Sequence, residues 1–167
     1  PSYRGQILVM TYPLIGNYGV PGRSRENGLL KYFESEEIHV RGLVISNLSE
    51  NYNHWNADRS LNDWLKSEGI PGITDVDTRR LTKILREHGT MIGAMVADEK
   101  SEIVFEDPNK KNLVAEVSCR EVIEYPRRKK RIVLVDCGVK NNIIRAFLHR
   151  DITVIRCPWD FDFTELE

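Results

Sequence analysis

The sequence predicts an α/β protein in which an N-terminal α/β domain is followed by the first βαβ unit of a doubly wound parallel sheet. Helical and extended patterns alternate along the 167 residues. An apolar run at 132–135 is followed by a turn, an amphipathic stretch and a second apolar run at 152–155, which is the order of a βαβ unit. Open parallel sheets usually have about four to six strands, so we expect the second domain to be truncated as given.

A charged segment separates the two predicted domains. We expect the N-terminal domain over 1–125, with residues missing before Pro1, and the incomplete second domain over 132–167. Residues 126–131 are a proline followed by five consecutive bases. Such a run suits nucleic-acid binding or nuclear targeting, but we favour an exposed interdomain linker because charge runs usually form solvated surface.

Composition and charge restrict the partners to be expected. Hydrophobic residues make up 41% of the chain, which suits a packed core. Lys and Arg number 24 against 25 Asp and Glu, so the net charge of -1 gives no electrostatic reason to expect nucleic acid or an anionic membrane. No apolar run approaches the roughly 18 residues of a membrane span, and we expect no signal peptide. No nucleic-acid and no membrane partner is therefore expected.

The strands of the N-terminal domain are predicted from short apolar runs. Strands are expected at 6–12, 40–45 and 91–96, and a short extended piece at 73–77. Residues 21–38 are polar and irregular, which predicts a surface excursion.

Capping residues mark the helices. Ser60 precedes a helix predicted over 61–68, and Asp77 precedes the clearest helix, 78–88, where its carboxylate can accept a free backbone N–H of the first turn. Residues 112–118 suit a short helix. The apolar stripe of the 78–88 helix recurs at i, i+3, i+4 and i+7, as Leu81, Ile84, Leu85 and His88.

The second domain begins with a buried strand. Residues 132–135 are apolar without alternation, which predicts a strand covered on both faces. A turn at 136–138, a helix from about 140 to 150 and a strand at 152–155 follow. We expect the two strands to be adjacent and parallel, with a right-handed crossover.

Three widely spaced cysteines, Cys119, Cys137 and Cys157, form no CxxC pair and have no histidine at zinc spacing. They are interpreted as reduced, mostly buried thiols of a cytoplasmic protein. Cys137 follows a predicted parallel strand, where α/β proteins place functional groups. However, the elbow pattern G-x-C-x-G or G-x-S-x-G occurs nowhere in the sequence, so a catalytic Cys137 is disfavoured.

Other patterns give no complete site. The run from Gly16 to Gly19 is glycine-rich but lacks the spacing of a nucleotide-binding loop, so a turn is favoured. Asp75 and Asp77 could form a metal pair, but Asp77 is explained as a helix cap. The residues alone therefore indicate a two-domain α/β fragment without a metal or a cofactor.

Several segments together resemble the small subunit of carbamoyl phosphate synthase. The most specific is 69–89, GIPGITDVDTRRLTKILREHG, and TYPLIGNYG at 11–19 is a second. The resemblance covers nearly the whole chain in the family's order and is weakest at 20–39 and 98–131. Further matching segments lie at 1–3, 5–9, 41–45, 61–65 and 135–145.

The resemblance implies a subunit of a ligase. The family's small subunit has its own N-terminal domain followed by a class I glutamine amidotransferase domain, which hydrolyses glutamine through a Cys-His-Glu triad. Its ammonia is channelled to a large subunit, which uses bicarbonate and two ATP to make carbamoyl phosphate for pyrimidine and arginine biosynthesis. The partners implied are the large subunit and glutamine, and ATP and Mg are expected on that partner.

The resemblance places one site residue in this chain. Ser2 matches a serine that contacts glutamine from the N-terminal domain, whereas none of the catalytic triad falls within residues 1–167. The chain alone is therefore expected to be inactive. Two alternatives stay open: a non-catalytic binding or scaffolding module that shares the N-terminal fold, and a redox or flavin protein built on the 132–155 unit, for which no phosphate-binding loop is present.

Overall fold

The structure is a computed structural model that describes residues 3–98 and 102–165. Both strands and helices are present, which confirms the α/β class. The strands are β1 (Ile7–Val9), β2 (Val20–Pro21), β3 (Arg25–Glu26), β4 (Leu29–Leu30), β5 (Gly42–Val44), β6 (Ala57–Arg59), β7 (Gly72–Ile73), β8 (Ile123–Tyr125), β9 (Arg131–Asp136) and β10 (Thr153–Pro158). The helices are α1 (Leu61–Ser67), α2 (Thr78–His88), α3 (Leu113–Val117) and α4 (Asn141–Leu148), with 3₁₀ turns at Pro108–Lys110 and Phe163–Glu165.

The chain divides into two compact units that are not contiguous in sequence. The N-terminal unit comprises Tyr3–Gly22 and Glu37–Lys110. The second unit comprises Arg23–Glu36 together with the chain from Lys111 onward. The linker was predicted over 126–131. Residues 126–130 connect β8 to β9, which are strands of one sheet, and Arg131 is the first residue of β9. The predicted end of the N-terminal domain at residue 125 and the predicted start of the second domain at residue 132 stay predictions.

The N-terminal unit is built on a parallel sheet of order β1-β5-β7. Strands β2 and β6 form a separate antiparallel pair. Helix α1 contributes Leu65 to a buried cluster that also contains Ile15, Leu43 and Ile45. Burial of this apolar cluster is the main stabilising contribution to the unit.

The two helix caps predicted for this unit are confirmed. The Ser60 hydroxyl accepts the N–H of Asp63 at 3.0 Å, and Oδ1 of Asp77 accepts the N–H of Arg80 at 2.9 Å. The apolar stripe of α2 is only partly buried, because Ile84 is 37% exposed. The strand predicted at 91–96 is wrong: this segment forms no strand, and Met91, at 56% exposed, faces solvent. The apolar composition of 91–96 predicted a strand, but a strand also needs a neighbouring strand to pair with. Among the described residues no strand pairs with this segment.

The second unit contains the predicted βαβ arrangement. Strands β9 and β10 pair in parallel over six residue pairs, from Arg131↔Thr153 to Asp136↔Pro158, and α4 connects them. Strand β8 adds to the other edge of β10 in antiparallel fashion, which was not predicted. The first strand was predicted to be covered on both faces of a complete sheet. In the described residues one face of β9 is open, with Val133 41% and Val135 38% exposed. β9 is also an edge strand of this three-stranded sheet.

The surface excursion predicted at 21–38 is also wrong. Strands β3 and β4 form a hairpin, and its second strand is buried, with Leu29 at 3% and Leu30 at 0% exposed. Asn27 and Gly28 connect the strands with φ of 53° and 81°, as a two-residue turn of type I′ requires. The hairpin signal was therefore the Asn-Gly pair, whose tight turn returns the chain and places two leucines in the core.

Candidate functional site

The one site residue predicted from the sequence, Ser2, lies outside the described residues. Its proposed contact with glutamine therefore stays a prediction. Two clusters of hydrogen-bonded polar side chains lie in the second unit, at the carboxyl end of β9 and at the N-terminus of α4.

Asp136, the last residue of β9, has a fully buried carboxylate that accepts hydrogen bonds from four groups. Its Oδ1 accepts the backbone N–H groups of Gly138 at 2.9 Å and Val139 at 2.8 Å. Its Oδ2 accepts the N–H of Cys119 at 2.7 Å and Nε of Arg156 at 2.8 Å. A buried charge is tolerated where it is paired and hydrogen-bonded in this way. The carboxylate thus fixes the turn that leads from β9 into α4.

The ionisation of this pair follows from its contacts. Burial acts to raise the pKa of Asp136, but the N–H of Val139, the Arg156 guanidinium and the N–H of Cys119 together hold the pKa below its usual value. Burial likewise opposes the charge of Arg156, but Asp136 raises the pKa of the guanidinium above its usual value. Both groups are therefore charged at neutral pH.

The cysteines near this site are unsuited to nucleophilic catalysis. Burial, followed by the charge of Asp136, raises the pKa of the Cys119 thiol to about 11. Burial also raises the pKa of Cys157. Cys137 is exposed after β9, and in residues 3–98 and 102–165 no hydrogen bond joins it to a histidine. Since the thiolate is the reactive form, the raised pKa values make Cys119 and Cys157 poor nucleophiles.

A second polar cluster holds the β3–β4 segment on α4. Nη2 of Arg145 donates to Oε1 of Glu34 at 2.7 Å, and the backbone N–H of Asn142 donates to Oε2 of Glu34 at 2.8 Å. Nδ2 of Asn141 donates to the carbonyl of Phe33 at 3.1 Å. Lys140, at the N-cap position of α4, makes no side-chain cap, so Glu34 supplies that interaction.

Sequence reasoning missed both clusters. For Asp136 a local signal existed, because a carboxylate at the end of an apolar run precedes Gly138 and a tight turn. For Glu34 and Arg145 no local signal existed, since 111 residues separate them.

The two aspartates considered as a metal pair from the sequence each accept a hydrogen bond within the chain. Asp77 is occupied as the cap of α2, and Oδ2 of Asp75 accepts the hydroxyl of Thr74 at 2.8 Å. Among the described residues, no group of three or more His, Cys, Asp or Glu is placed to hold a metal ion.

A shallow cleft of about 280 Å³ lies between α1 and strands β5 and β7. Its lining is mostly aliphatic, with Leu43, Leu65 and Ile70 among the side chains, and Lys66 supplies a cation. Its lining includes no histidine, cysteine or carboxylate, so the cleft offers no acid–base pair for catalysis.

The comparisons with known proteins agree on one family. The model of the carbamoyl-phosphate synthase small chain, CPSase domain, matches residues 1–95. The mouse protein "Carbamoyl-phosphate synthase [ammonia], mitochondrial" is 48% identical over 170 residues, which are 100% of this chain and 11% of that relative. "Multifunctional protein CAD" of Squalus acanthias is 47% identical over 171 residues, 100% of this chain and 8% of that protein.

A shorter relative has nearly the same sequence identity to this chain. The "Carbamoyl phosphate synthase arginine-specific small chain" of Saccharomyces cerevisiae is 47% identical over 167 residues, 96% of this chain and 41% of its own. The chain thus spans less than half the length of each of these relatives. Among the described residues, no helix has the length and apolar character needed to cross a bilayer. The matched family model and these whole-chain similarities show that the chain belongs to the carbamoyl-phosphate synthase small-chain family.

Proposed function

We propose that this chain is part of the small subunit of a glutamine-dependent carbamoyl phosphate synthase. In this proposal the subunit hydrolyses glutamine and delivers ammonia to a large subunit. The large subunit, with ATP and Mg, combines the ammonia with bicarbonate to form carbamoyl phosphate for arginine or pyrimidine synthesis. The observation that carries the proposal is the family match over 1–95 together with 47% identity to an arginine-specific small chain.

The geometry suits a structural role for these residues within that subunit. The second unit begins a parallel sheet, and Asp136 fixes the turn between β9 and α4. None of the three cysteines is hydrogen-bonded to a histidine among the described residues, and in this proposal the hydrolysis is carried out by residues outside this sequence. Ser2 is proposed to contact glutamine.

A second candidate is a small-chain region that does not hydrolyse glutamine. The mouse, rat and human relatives, each 48% identical to this chain, carry the word ammonia in their names. This candidate corresponds to a non-catalytic module on the same fold. The same names include the word mitochondrial, so the cytoplasmic location expected from the sequence is likewise a proposal.

The nitrogen source separates the two candidates. The complete small subunit that contains this sequence would be assayed with its large subunit for carbamoyl phosphate formation, with glutamine or with ammonia as donor. The large subunit alone is the control. If the first candidate is correct, synthesis from glutamine requires the small subunit, whereas synthesis from ammonia does not. Synthesis from ammonia alone, whether or not the small subunit is present, would favour the second candidate.

A further inference from the structure

The turn of the β3–β4 hairpin presents the one Asn-Gly pair of the sequence, Asn27 and Gly28, to solvent. Glycine has no side chain to shield its backbone nitrogen. A Cβ placed on Gly28 would have no heavy atom within 4 Å apart from its neighbours in the chain. Among the described residues, no acceptor takes a hydrogen bond from the Gly28 N–H. The nitrogen of Gly28 therefore has open space beside the side-chain amide of Asn27.

The amide oxygen of Asn27 is held by an anchored cation. Nη2 of Arg127 donates to Oδ1 of Asn27 at 2.6 Å, although the two residues are 100 positions apart. The backbone N–H of Arg127 donates to Oγ1 of Thr153 at 2.7 Å, and that hydroxyl donates to the carbonyl of Arg127 at 3.0 Å. Because Thr153 is buried, the backbone that carries the guanidinium is fixed to the sheet. A cationic donor on an amide oxygen favours negative charge on that oxygen.

We propose that Asn27 is a site of spontaneous deamidation, with the nitrogen of Gly28 as nucleophile and Arg127 as the donor that stabilises the oxyanion. The Gly28 nitrogen loses its proton to solvent and bonds to Cγ of Asn27, and the C=O electron pair moves to Oδ1 beside Arg127. When that pair returns, Nδ2 takes up a proton and leaves as ammonia, which gives a cyclic succinimide. One water then opens the ring to aspartate or isoaspartate. Overall, one water enters and one ammonia leaves, so no oxidant or cofactor is needed.

Ring closure requires the turn to open, since the type I′ conformation fixes the backbone of Asn27 at a φ of 53°. The hairpin allows this opening to be local. Strand β3 pairs with β4 over only two residue pairs, and both residues of β3 are exposed. Arg25 donates to the carbonyl of Gly28 at 2.8 Å, but a single exposed hydrogen bond resists opening only weakly. Short exposed elements of this kind open without unfolding of the core.

The two products differ in their effect on the second unit. Aspartate keeps an oxygen beside Arg127 and adds a negative charge, so the hydrogen bond becomes an ion pair, and aspartate tolerates a positive φ. Isoaspartate adds a methylene group to the backbone of a two-residue loop, which no longer fits the register of β3 and β4. The burial of Leu29 and Leu30 depends on that register. Isoaspartate at this turn should therefore weaken the core, whereas aspartate should not.

The test uses the complete subunit that contains this sequence, incubated at neutral pH and body temperature. Trypsin releases Asn27 in the peptide 26–31, so mass mapping over time follows its deamidation separately from that of the other asparagines. Arg127→Gln removes the proposed donor. Arg128→Gln is the matched control, because it removes the same charge from the next residue and leaves Arg127 in place. The Tm of Asn27→Asp, compared with that of the wild type, measures the effect of the aspartate product.

We expect Asn27 to lose ammonia faster than every other asparagine of this sequence. Arg127→Gln should slow that loss about tenfold, which is less than the effect of an oxyanion donor in a buried active site because water screens this one, and Arg128→Gln should not slow it. Since unfolding frees the turn and speeds ring closure, a slower rate in Arg127→Gln cannot arise from loss of folding. An equal or faster rate in Arg127→Gln overturns the proposal, because Arg127 would then restrain the amide instead of activating it. An Asn27 that keeps its amide as long as the other asparagines also overturns it.

Discussion

Glu34 caps the N-terminus of α4 from 108 residues away in the chain, with its Oε2 accepting the N–H of Asn142 at 2.8 Å. The same carboxylate pairs with Arg145 one turn along the helix. The contact joins a segment from the first quarter of the sequence to the first helix after the parallel strand β9. The stability of α4 therefore depends on residues that sequence proximity would not associate with it.

Removing this distant cap should destabilise the protein. We expect Glu34→Ala to lower the free energy of unfolding by about 1–2 kcal/mol, since it leaves the N–H of Asn142 without its acceptor and Arg145 without its carboxylate. Glu34→Gln is the matched control, because its amide oxygen can still accept the N–H of Asn142. Urea unfolding monitored by circular dichroism measures both. Equal losses for the two variants would show that charge, not capping, is what Glu34 supplies.

Replacing the buried carboxylate of Asp136 should lower the free energy of unfolding by more than Glu34→Ala does. Asp136→Asn leaves the Arg156 guanidinium, whose side chain is 17% exposed, without its counter-charge, and we expect a loss of about 3–5 kcal/mol. Asp160→Asn, which changes an exposed aspartate in the same unit, is the control. The free energy of unfolding from urea titrations checks the difference, and a loss below 1 kcal/mol for Asp136→Asn would contradict the structural role.

The same carboxylate should contribute to acid sensitivity. Because the pKa of Asp136 is lower in the folded protein than in the unfolded chain, its stabilisation is present above the ordinary carboxyl pKa. That stabilisation is lost as the pH falls below about 4. We expect Asp136→Asn to show a shallower fall of the free energy of unfolding with acidification than the wild type. Urea titrations over this pH range measure the slope for the wild type, Asp136→Asn and the control Asp160→Asn. Equal slopes for all three proteins would contradict the expectation.

Removing the cap of α2 should lower the free energy of unfolding by less than the Asp136 substitution does. Asp77→Ala should cost about 1 kcal/mol of stability, because the N–H of Arg80 loses its acceptor. Asp77→Asn keeps an oxygen at the same place and should cost little. Thermal and urea unfolding of both variants provide the measurement. An Asp77→Ala protein as stable as the wild type would mean that water replaces the cap at no cost.

Ser2 should act on glutamine and not on folding. In the complete enzyme, Ser2→Ala is expected to raise the KM for glutamine far more than that for ammonia supplied directly, because only glutamine would contact the hydroxyl. Steady-state carbamoyl phosphate formation with each donor measures this ratio. Equal changes in both KM values would indicate a structural role instead.

The 167-residue chain by itself should not hydrolyse glutamine. It contains no G-x-C-x-G elbow, and loss of nucleophile and base together removes rate on the order of a millionfold in comparable triad enzymes. Glutamate release by the purified chain should equal the buffer blank, with or without Cys137→Ser. Turnover that disappears in Cys137→Ser would restore Cys137 as a nucleophile.

Local patterns predicted the elements whose stability is local. Helix α2 begins and ends where Asp77 and Gly89 indicate, and β9, α4 and β10 follow the order of apolar and amphipathic runs. Apolar runs also predicted a strand at 91–96 that does not form, because a strand requires a paired edge that the segment's own residues cannot reveal.

The sequence by itself determined the α/β class, the capped helices and, through the resemblance, the family. Only the tertiary structure decided that Leu29 and Leu30 lie in the core of the second unit and that Glu34 caps α4. Likewise, only the fold brings Arg156 and Cys119 to the carboxylate of Asp136. The physical reason is the range of the interactions: caps and periodicity act over one or two helical turns, whereas burial and charge pairing depend on residues that meet only after the chain has folded.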